Sequence, residues 1–420
     1  MNRIHRAVDI LIVGAGPAGM AAAVRARESG SRVLILDDNP AAGGQVWRNT
    51  PSASVWFRKL AASGAEVLTG ASVVDGDPQR KLLIVEKPDE LLEINYRKLV
   101  LATGARELFL PFPGWTMPNV MGVGGLQALV KSGLPVKGKR IVVAGTGPLL
   151  LAAAAYFRKK GAIVPLIAEQ ARWTGVARFT LHLLAHPAKL LQAAALRIAL
   201  RHSRYLTSCW VEAASGNGRL QGVTLRHSGK VLQERCDYLA ISYGFKPNIE
   251  LPALLNCECT SKGVQVDPFQ QTSQKDIYCA GECTGIGGVE LSVLEGEIAG
   301  YSATGRIDRA EKLFRKREKA WRFATALEHA FGARGELKEL PRPDTIVCRC
   351  EDVIWRRLQS MPSWREAKLY ARCGMGPCQG RICGPILEFL LGLHPESIRP
   401  PVFPARIEAL VTSTDQTTVQ

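Results

Sequence analysis

The chain has 420 residues, 46% of them hydrophobic, and a formal net charge of +16. At about 150 residues per domain this length allows two or three domains with a sizeable core, and it excludes a small disulfide-stapled scaffold. The basic balance favours acidic partners, whether nucleotide phosphates, an acidic protein subunit or nucleic acid, and does not choose among them.

The N-terminal stretch "MNRIHRAVDILIVGAGPAGMAAAVRA" runs from basic to apolar to small residues, as a signal peptide does. Its glycines read better as a strand entering a turn. The pattern predicts a buried strand over Val8 to Val13, a helix over Ala18 to Glu28 and a second strand over Ser31 to Leu36. Gly14, Gly16 and Gly19 fit G-x-G-x-x-G, with Pro17 and Ala18 inside the motif. In that motif the first glycine permits the tight turn and the second lets the backbone approach a pyrophosphate. The third lets helix and strand pack closely. Asp37 follows the second strand, where a carboxylate can accept hydrogen bonds from ribose hydroxyls, and Asp38 is the fallback for that role. A glycine turn without a ligand is the bland reading. The strand, helix, second strand and acid in sequence weigh against it.

Further along come "NPAAGGQVWR", with Gly44 and Gln45, and "LVLATGARE", with Ala102, Thr103 and Gly104 after a strand. The βαβ grammar then repeats in "GKRIVVAGTGPLLLAAAAYFRKKGAIVPLIAEQ". Gly145, Gly147 and Pro148 match the first motif, and Glu169 stands where the ribose-binding acid belongs. The third glycine is replaced by Leu150, whose bulk pushes helix from strand. No arginine pair suited to a 2′-phosphate follows, which favours NADH over NADPH. Two readings stay open here: a bound adenine nucleotide, or a retained scaffold that feeds no hydride to anything.

From Ala171 to Val211 the chain carries Arg172, Arg178, Lys189, Arg197, Arg201 and Arg204 with no Asp or Glu, interleaved with leucines in a helical pattern. A subunit interface, a membrane-surface contact and an insertion packed on its own domain all fit this pattern. "ISYGFKPNIE" and "DIYCAGECTGIGGVELSVLEGEIAG" follow. Together with the earlier motifs they resemble the signatures of two-dinucleotide-binding-domain flavoproteins, the glutathione-reductase-like α/β fold. The resemblance implies FAD at the first site, with Gly281 and the acid after it touching the ribityl and pyrophosphate region. That acid is usually Asp; here it is Glu282. Disulfide reductases of this fold carry a redox cysteine pair. This chain has no cysteine before Cys209 and no C-x-x-C, which disfavours thiol–disulfide exchange. Cys209, Cys236, Cys257 and Cys259 read as small apolar core groups.

After a charged, helical connector from Arg306 to about Leu340, the tail reads Cys348-x-Cys350, 22 residues, Cys373-x4-Cys378, then x4-Cys383. Thiolates ligate Fe–S clusters and structural zinc. Zinc sites favour C-x-x-C knuckles, so this spacing suits a two-iron cluster better. The tail "VCRCEDV … RCGMGPCQGRICGP" resembles the bacterioferritin-associated-ferredoxin-like [2Fe–2S] domain. From "GAGPAGM" through "DDNPAAGGQVWR", "ATGARE" and "AGECTGIGG" to this tail, the chain resembles the α-type subunits of heteromeric FAD-dependent amino-acid, opine and amine dehydrogenases. That group includes subunits of opine oxidase, hydrogen cyanide synthase and hydroxyproline dehydrogenase.

The resemblance implies Cys348, Cys350, Cys373 and Cys378 as cluster ligands, with Cys383 spare. The partners it implies are a glycine-oxidase-like, FAD-dependent catalytic subunit, joined by a small ferredoxin-like subunit. The seven histidines fall in no catalytic spacing, so no catalytic residue is assigned. The expected domains are 1–135 and 241–305 for FAD, 136–240 for the inserted second nucleotide domain, 306–341 for a helical connector and 342–420 for the [2Fe–2S] domain. The expected function is electron relay from the partner through flavin and cluster. The alternative is a self-sufficient NADH-dependent flavin and iron–sulfur reductase. No apolar run is long enough to span a membrane and no nucleic-acid module is recognisable, so a cytoplasmic protein is expected.

Overall fold

Four strand ends meet beside the first glycine turn, and their meeting organises the first half of the structure. The computed structural model describes residues 2–48, 54–395 and 397–411. It divides into two compact units. One is Met1–Arg106, Lys246–Ala324 and Ser397–Gln420; the other is Glu107–Phe245 and Thr325–Glu396.

In the first unit the strand Asn2–Val13 lies centrally, parallel to Val33–Asp37 on one side and to Glu90–Leu101 on the other. Glu66–Thr69 extends the sheet beyond Val33–Asp37, and Ile277–Cys279 adds in parallel to Glu90–Leu101. Leu82–Glu86 and Ser72–Asp77 complete it in antiparallel sense. Register aligns Val13 with Leu36 and with Leu101, and Leu101 with Cys279. The carboxyl ends of these strands therefore share one edge, where open α/β sheets place their ligands. Helix Pro17–Arg27 is rich in alanine because a second helix, Gly288–Ala303, crosses it at close range. A methyl group on Gly296 would lie 2.1 Å from the Ala18 carbonyl oxygen, and one on Gly300 2.4 Å from that of Ala22. Residues 397–411 return to this unit. The Val402 N–H donates to the Val74 carbonyl at 2.8 Å, and Ala409 packs with Val74 and Leu91.

The second unit holds a five-stranded parallel sheet in the order Arg204–Leu206, Leu166–Glu169, Ile141–Gly145, Tyr238–Ser242, Val120–Gly122. An antiparallel sheet of Cys209–Ser215, Gly222–His227 and Lys230–Arg235 accompanies it. The sequence predicts a boundary after residue 135. The first compact unit runs to Arg106, and Val120–Gly122 pairs with Tyr238–Ser242 in the second sheet. Residues 325–396, expected to split between a connector and a separate tail domain, lie in this same unit. Val347, Leu358, Trp364, Ile386 and Leu387 share one core with Phe112, Trp115, Val211 and Leu225. The Trp115 Nε1–H donates to the Ile346 carbonyl at 2.6 Å.

The turn after Ile277–Cys279 is fixed by an acid inside the Gly288–Ala303 helix. The Glu295 carboxylate is 1% exposed and accepts from the Gly281 N–H at 2.9 Å, the Thr284 hydroxyl at 2.9 Å and the Trp321 indole N–H at 3.1 Å. Burial pushes this carboxyl from its ordinary 4.5 up to about 7. Between those values the folded chain keeps a proton that the unfolded chain has released. The associated stability is complete below pH 4.5 and lost as pH rises through 7, on the order of 3 kcal/mol at about 1.4 kcal/mol for each tenfold change in proton affinity. Glu295→Gln should flatten this dependence, read as urea midpoints compared at pH 4.5 and pH 7.5.

Candidate functional site

The first candidate site is built on the turn between Asn2–Val13 and Pro17–Arg27. A methyl group on Gly14 would sit 2.2 Å from the Ala102 carbonyl oxygen, and one on Gly19 1.8 Å from that of Gly14. These two glycines let backbones touch. Gly16 differs: its φ is an ordinary −76°, and a methyl group there would meet nothing within 4 Å. The open side of the turn is thus at Gly16, at the N-terminus of a helix, where peptide N–H groups and the helix dipole favour a phosphate. Pro17 and Ala18 begin that helix.

Asp37 ends its strand and is 6% exposed. Its Oδ2 accepts from the Ala15 N–H at 2.6 Å and its Oδ1 from the Asn39 N–H at 2.8 Å. Asp38 points outward and accepts from the Asn39 amide at 2.8 Å. Gly44 packs against the Gly16 backbone, while Gln45 is exposed and accepts from Arg48 at 3.1 Å. Ala102 donates its N–H to the Val13 carbonyl at 2.8 Å. Thr103 and Gly104 are pinned by Asn248: the Thr103 hydroxyl donates to the Asn248 carbonyl at 2.7 Å, and the Asn248 N–H to that of Gly104 at 2.9 Å. Gly281 lies beneath, bonded to Glu295, and the Glu282 carboxylate accepts from the Gly288 N–H. Asn248 and Glu295 are the residues that pattern reading missed. A glutamate between Leu294 and Gly296, one of three in an otherwise apolar helix, was the available signal for the second. Cys279 and Cys283 are buried beside this turn with their sulfurs 3.1 Å apart.

The second glycine turn has a different environment. A methyl group on Gly145 would lie 1.8 Å from the Ser242 carbonyl oxygen, as tight as the first motif. Pro148 precedes the helix Leu149–Lys159, and Leu150 is fully buried where the third glycine would stand. Glu169 has no exposed surface. Its Oε2 accepts from the Gly147 N–H at 2.7 Å and its Oε1 from the Ala171 N–H at 2.9 Å, with the Thr146 hydroxyl oxygen 3.2 Å from Oε1. Burial raises its carboxyl to about 7.

In the tail, the sulfurs of Cys348, Cys373 and Cys383 all lie within 4.8 Å of one another and all three residues are buried. Cys350 is exposed and Cys378 half-buried, and the two thiols lie against each other. The fold thus gathers Cys383, which the sequence reading left spare, with two of the four expected ligands. Cys350 and Cys378 stand outside that close group, the first exposed and the second half-buried. The Cys348 sulfur accepts from the backbone N–H groups of Gly374 and Glu351. Gly374 has a φ of +85°, and a methyl group there would lie 2.7 Å from the Trp364 ring, so this loop requires glycine. The donor set, soft thiols in a buried pocket with backbone N–H groups aimed at sulfur, fits a thiolate-ligated metal or cluster. Nearby, Arg372 pairs with Glu351 at 2.7 Å and Arg381 donates to the Cys378 carbonyl at 3.2 Å.

The basic stretch forms the helices Trp173–His182 and Pro187–Ala199, and the second of these buries none of its residues. Trp173, Leu181, Leu184, Leu191 and Ile198 are each about two-thirds exposed, at 65–71%. No helix among the described residues is long and apolar enough to cross a membrane.

Comparison with known proteins fits this architecture. Residues 8–311 match the family described as pyridine nucleotide-disulphide oxidoreductase. The chain is 33% identical to hydrogen cyanide synthase subunit HcnB of Pseudomonas aeruginosa, over 89% of this chain and 90% of that protein. It is 28% identical to the A subunit of opine oxidase from Rhizobium meliloti, over 96% of this chain and 87% of that one. Among solved structures, L-proline dehydrogenase from P. horikoshii superposes with a TM-score of 0.74 at 17% identity, covering 98% of this chain and 81% of that one. With its two glycine turns and paired nucleotide-type sheets, the chain belongs to the pyridine nucleotide-disulphide oxidoreductase family and is a FAD-dependent oxidoreductase.

Proposed function

We propose that the chain is the electron-transfer subunit of a heteromeric amino-acid, opine or amine dehydrogenase. It would carry FAD and a [2Fe–2S] cluster and relay electrons from a separate, substrate-oxidising flavoprotein of the glycine-oxidase type. A further partner would be a small ferredoxin-like subunit. The observation that carries this reading is the gathering of Cys348, Cys373 and Cys383 into one buried group in a chain that also has an open flavin-type turn at Gly16. Support comes from its relatives, which are named as subunits of a synthase and an oxidase. The basic, apolar surface of the Trp173–His182 and Pro187–Ala199 helices supports a protein partner, and the reading puts the complex in the cytoplasm.

FAD accepts electrons in pairs and releases them singly, which a one-electron cluster can take. In this reading Gly14, Gly16, Pro17, Ala18 and Gly19 present backbone to the pyrophosphate. Asp37 or Asp38 accepts from the adenosine ribose. Gly44, Gln45, Ala102, Thr103 and Gly104 border the flavin side, and Gly281 and Glu282 meet the ribityl chain. Cys348 and Cys373 are ligands in every version of the cluster site. Cys350 and Cys378 complete it by resemblance, and Cys383 competes for one of their places by its burial beside the first two. The alternative, an NADH-dependent reductase, would have to use the second turn, with Gly145, Gly147, Pro148 and Glu169. In that case NADH alone would bleach the flavin of the isolated chain. On the relay reading, bleaching requires the amine or amino-acid substrate and the partner subunit.

Two outcomes are expected. Gly16→Ala should weaken FAD retention by roughly tenfold or more, about 1.4 kcal/mol. The melting temperature of the apoprotein should barely move, since φ at Gly16 suits alanine and the added methyl group faces open space. Flavin absorbance after gel filtration measures the first effect and thermal unfolding the second. Cys348→Ser and Cys373→Ser should each strip equimolar iron and sulfide from protein isolated anaerobically. Retained metal in Cys383→Ser with loss in Cys378→Ser would support the set implied by resemblance, and the reverse would place Cys383 in the cluster.

A further inference from the structure

The two glycine turns differ most at one equivalent position. At Gly16 the space beyond the backbone is open. At Gly147, whose φ of +86° differs from the −76° of Gly16, Phe331 stands over the turn at van der Waals contact, its Cβ and Cγ 3.9 and 4.0 Å from where a methyl group would be. Phe331 is the last residue of the helix Phe314–Phe331 and is 8% exposed, with its ring edge-on to Phe179 at 5.4 Å between centroids. The backbone that follows is tied to the turn. The Phe331 carbonyl accepts from the Thr146 hydroxyl at 2.6 Å and from the Gln170 amide at 3.3 Å, and the Gly332 carbonyl accepts from the same amide at 3.0 Å. The Arg334 N–H donates to the Gln170 side-chain oxygen at 3.2 Å, and the Arg334 guanidinium to the Gln170 carbonyl at 3.3 Å. Thr146 and Gln170 flank the two groups that a dinucleotide would use here, the Gly147 N–H and the Glu169 carboxylate. Those two are bonded to each other and sealed from solvent.

We propose that the end of the Phe314–Phe331 helix is a built-in occupant of the second dinucleotide site. Phe331 and Gly332 cover the ground that the adenosine ribose and pyrophosphate of a nicotinamide nucleotide need. The chain therefore takes neither NADH nor NADPH there, and the retained glycine turn serves as a packing surface for its own helix. Electrons must then reach the flavin from a donor other than a nicotinamide nucleotide held at this turn. The inference rests on the geometry of the second turn and not on the relay reading, which fails on a different result, the absence of flavin or iron.

The test uses the full-length, flavin-loaded chain in equilibrium dialysis with NADH and with NADPH up to about 1 mM, the upper end of ordinary Michaelis constants. The intact chain should show no saturable binding of either. Phe331→Ala opens the covered ground. Thr146→Ala combined with Gln170→Ala cuts the ties to the Phe331 and Gly332 carbonyls while leaving the Phe331 ring itself in place. A gain of saturable binding, at least tenfold above the intact chain, in either folded variant supports the proposal. Stoichiometric micromolar binding by the intact chain overturns it. So does continued failure of both variants to bind while circular dichroism shows them folded, because the bar would then lie at Leu150.

Discussion

Both nucleotide-type sites depend on a contact between two backbones with no side chain between them. Gly14 lies against the Ala102 carbonyl and Gly145 against that of Ser242, each closer than any Cβ could tolerate. This contact lets the strand before the turn and the strand beside it deliver their carboxyl ends to one edge. It also aims the following helix at the space beyond. In the first unit that edge collects Asp37, Thr103 and Gly281, each held by a further bond to the protein. In the second unit the same geometry exists, and the chain has used it to dock a helix end. A shared turn thus supports two uses, separated by what lies over the middle glycine.

The cysteine tail does not stand apart from this framework. Its hydrophobic residues join the core that Phe112, Trp115 and Val211 begin, and Trp364 fills the space beneath Gly374 and Gly380. Rigid support of this kind suits an electron-transfer centre, because reorganisation around the sulfurs is limited when the loops that carry them rest on packed aromatic rings.

The first βαβ unit was legible because its signals are local. Glycine spacing, an apolar run of strand length and an acid after the next strand all lie within about forty residues, and the structure has the strand end at Asp37 as expected. The two-sheet α/β architecture followed from the repeat of that pattern. Three features were not legible, for one physical reason: each is a side-chain meeting set by the folded path of the backbone, which no residue pattern encodes. Glu295 reaches back to Gly281 across a helical turn that pattern reading sees only as apolar. Phe331 reaches Thr146 across 185 residues. Cys383 joins Cys348 because the loop from Cys373 folds over Trp364, which no spacing rule encodes.

The return of residues 397–411 to the first unit has a consequence for biosynthesis. Val402 and Ala409 close on Val74 and Leu91, so the flavin-type unit is assembled from segments that precede and follow the second unit in the chain. A ribosome extends a chain at about 5–20 residues per second and N-terminal domains ordinarily fold first. Here the unit begun by the strand Asn2–Val13 lacks residues 397–411 until the second unit and its thiol group, which precede them in the chain, have emerged. The order of maturation would then invert the order of the sequence, with the cysteine site available for loading before the flavin unit has closed.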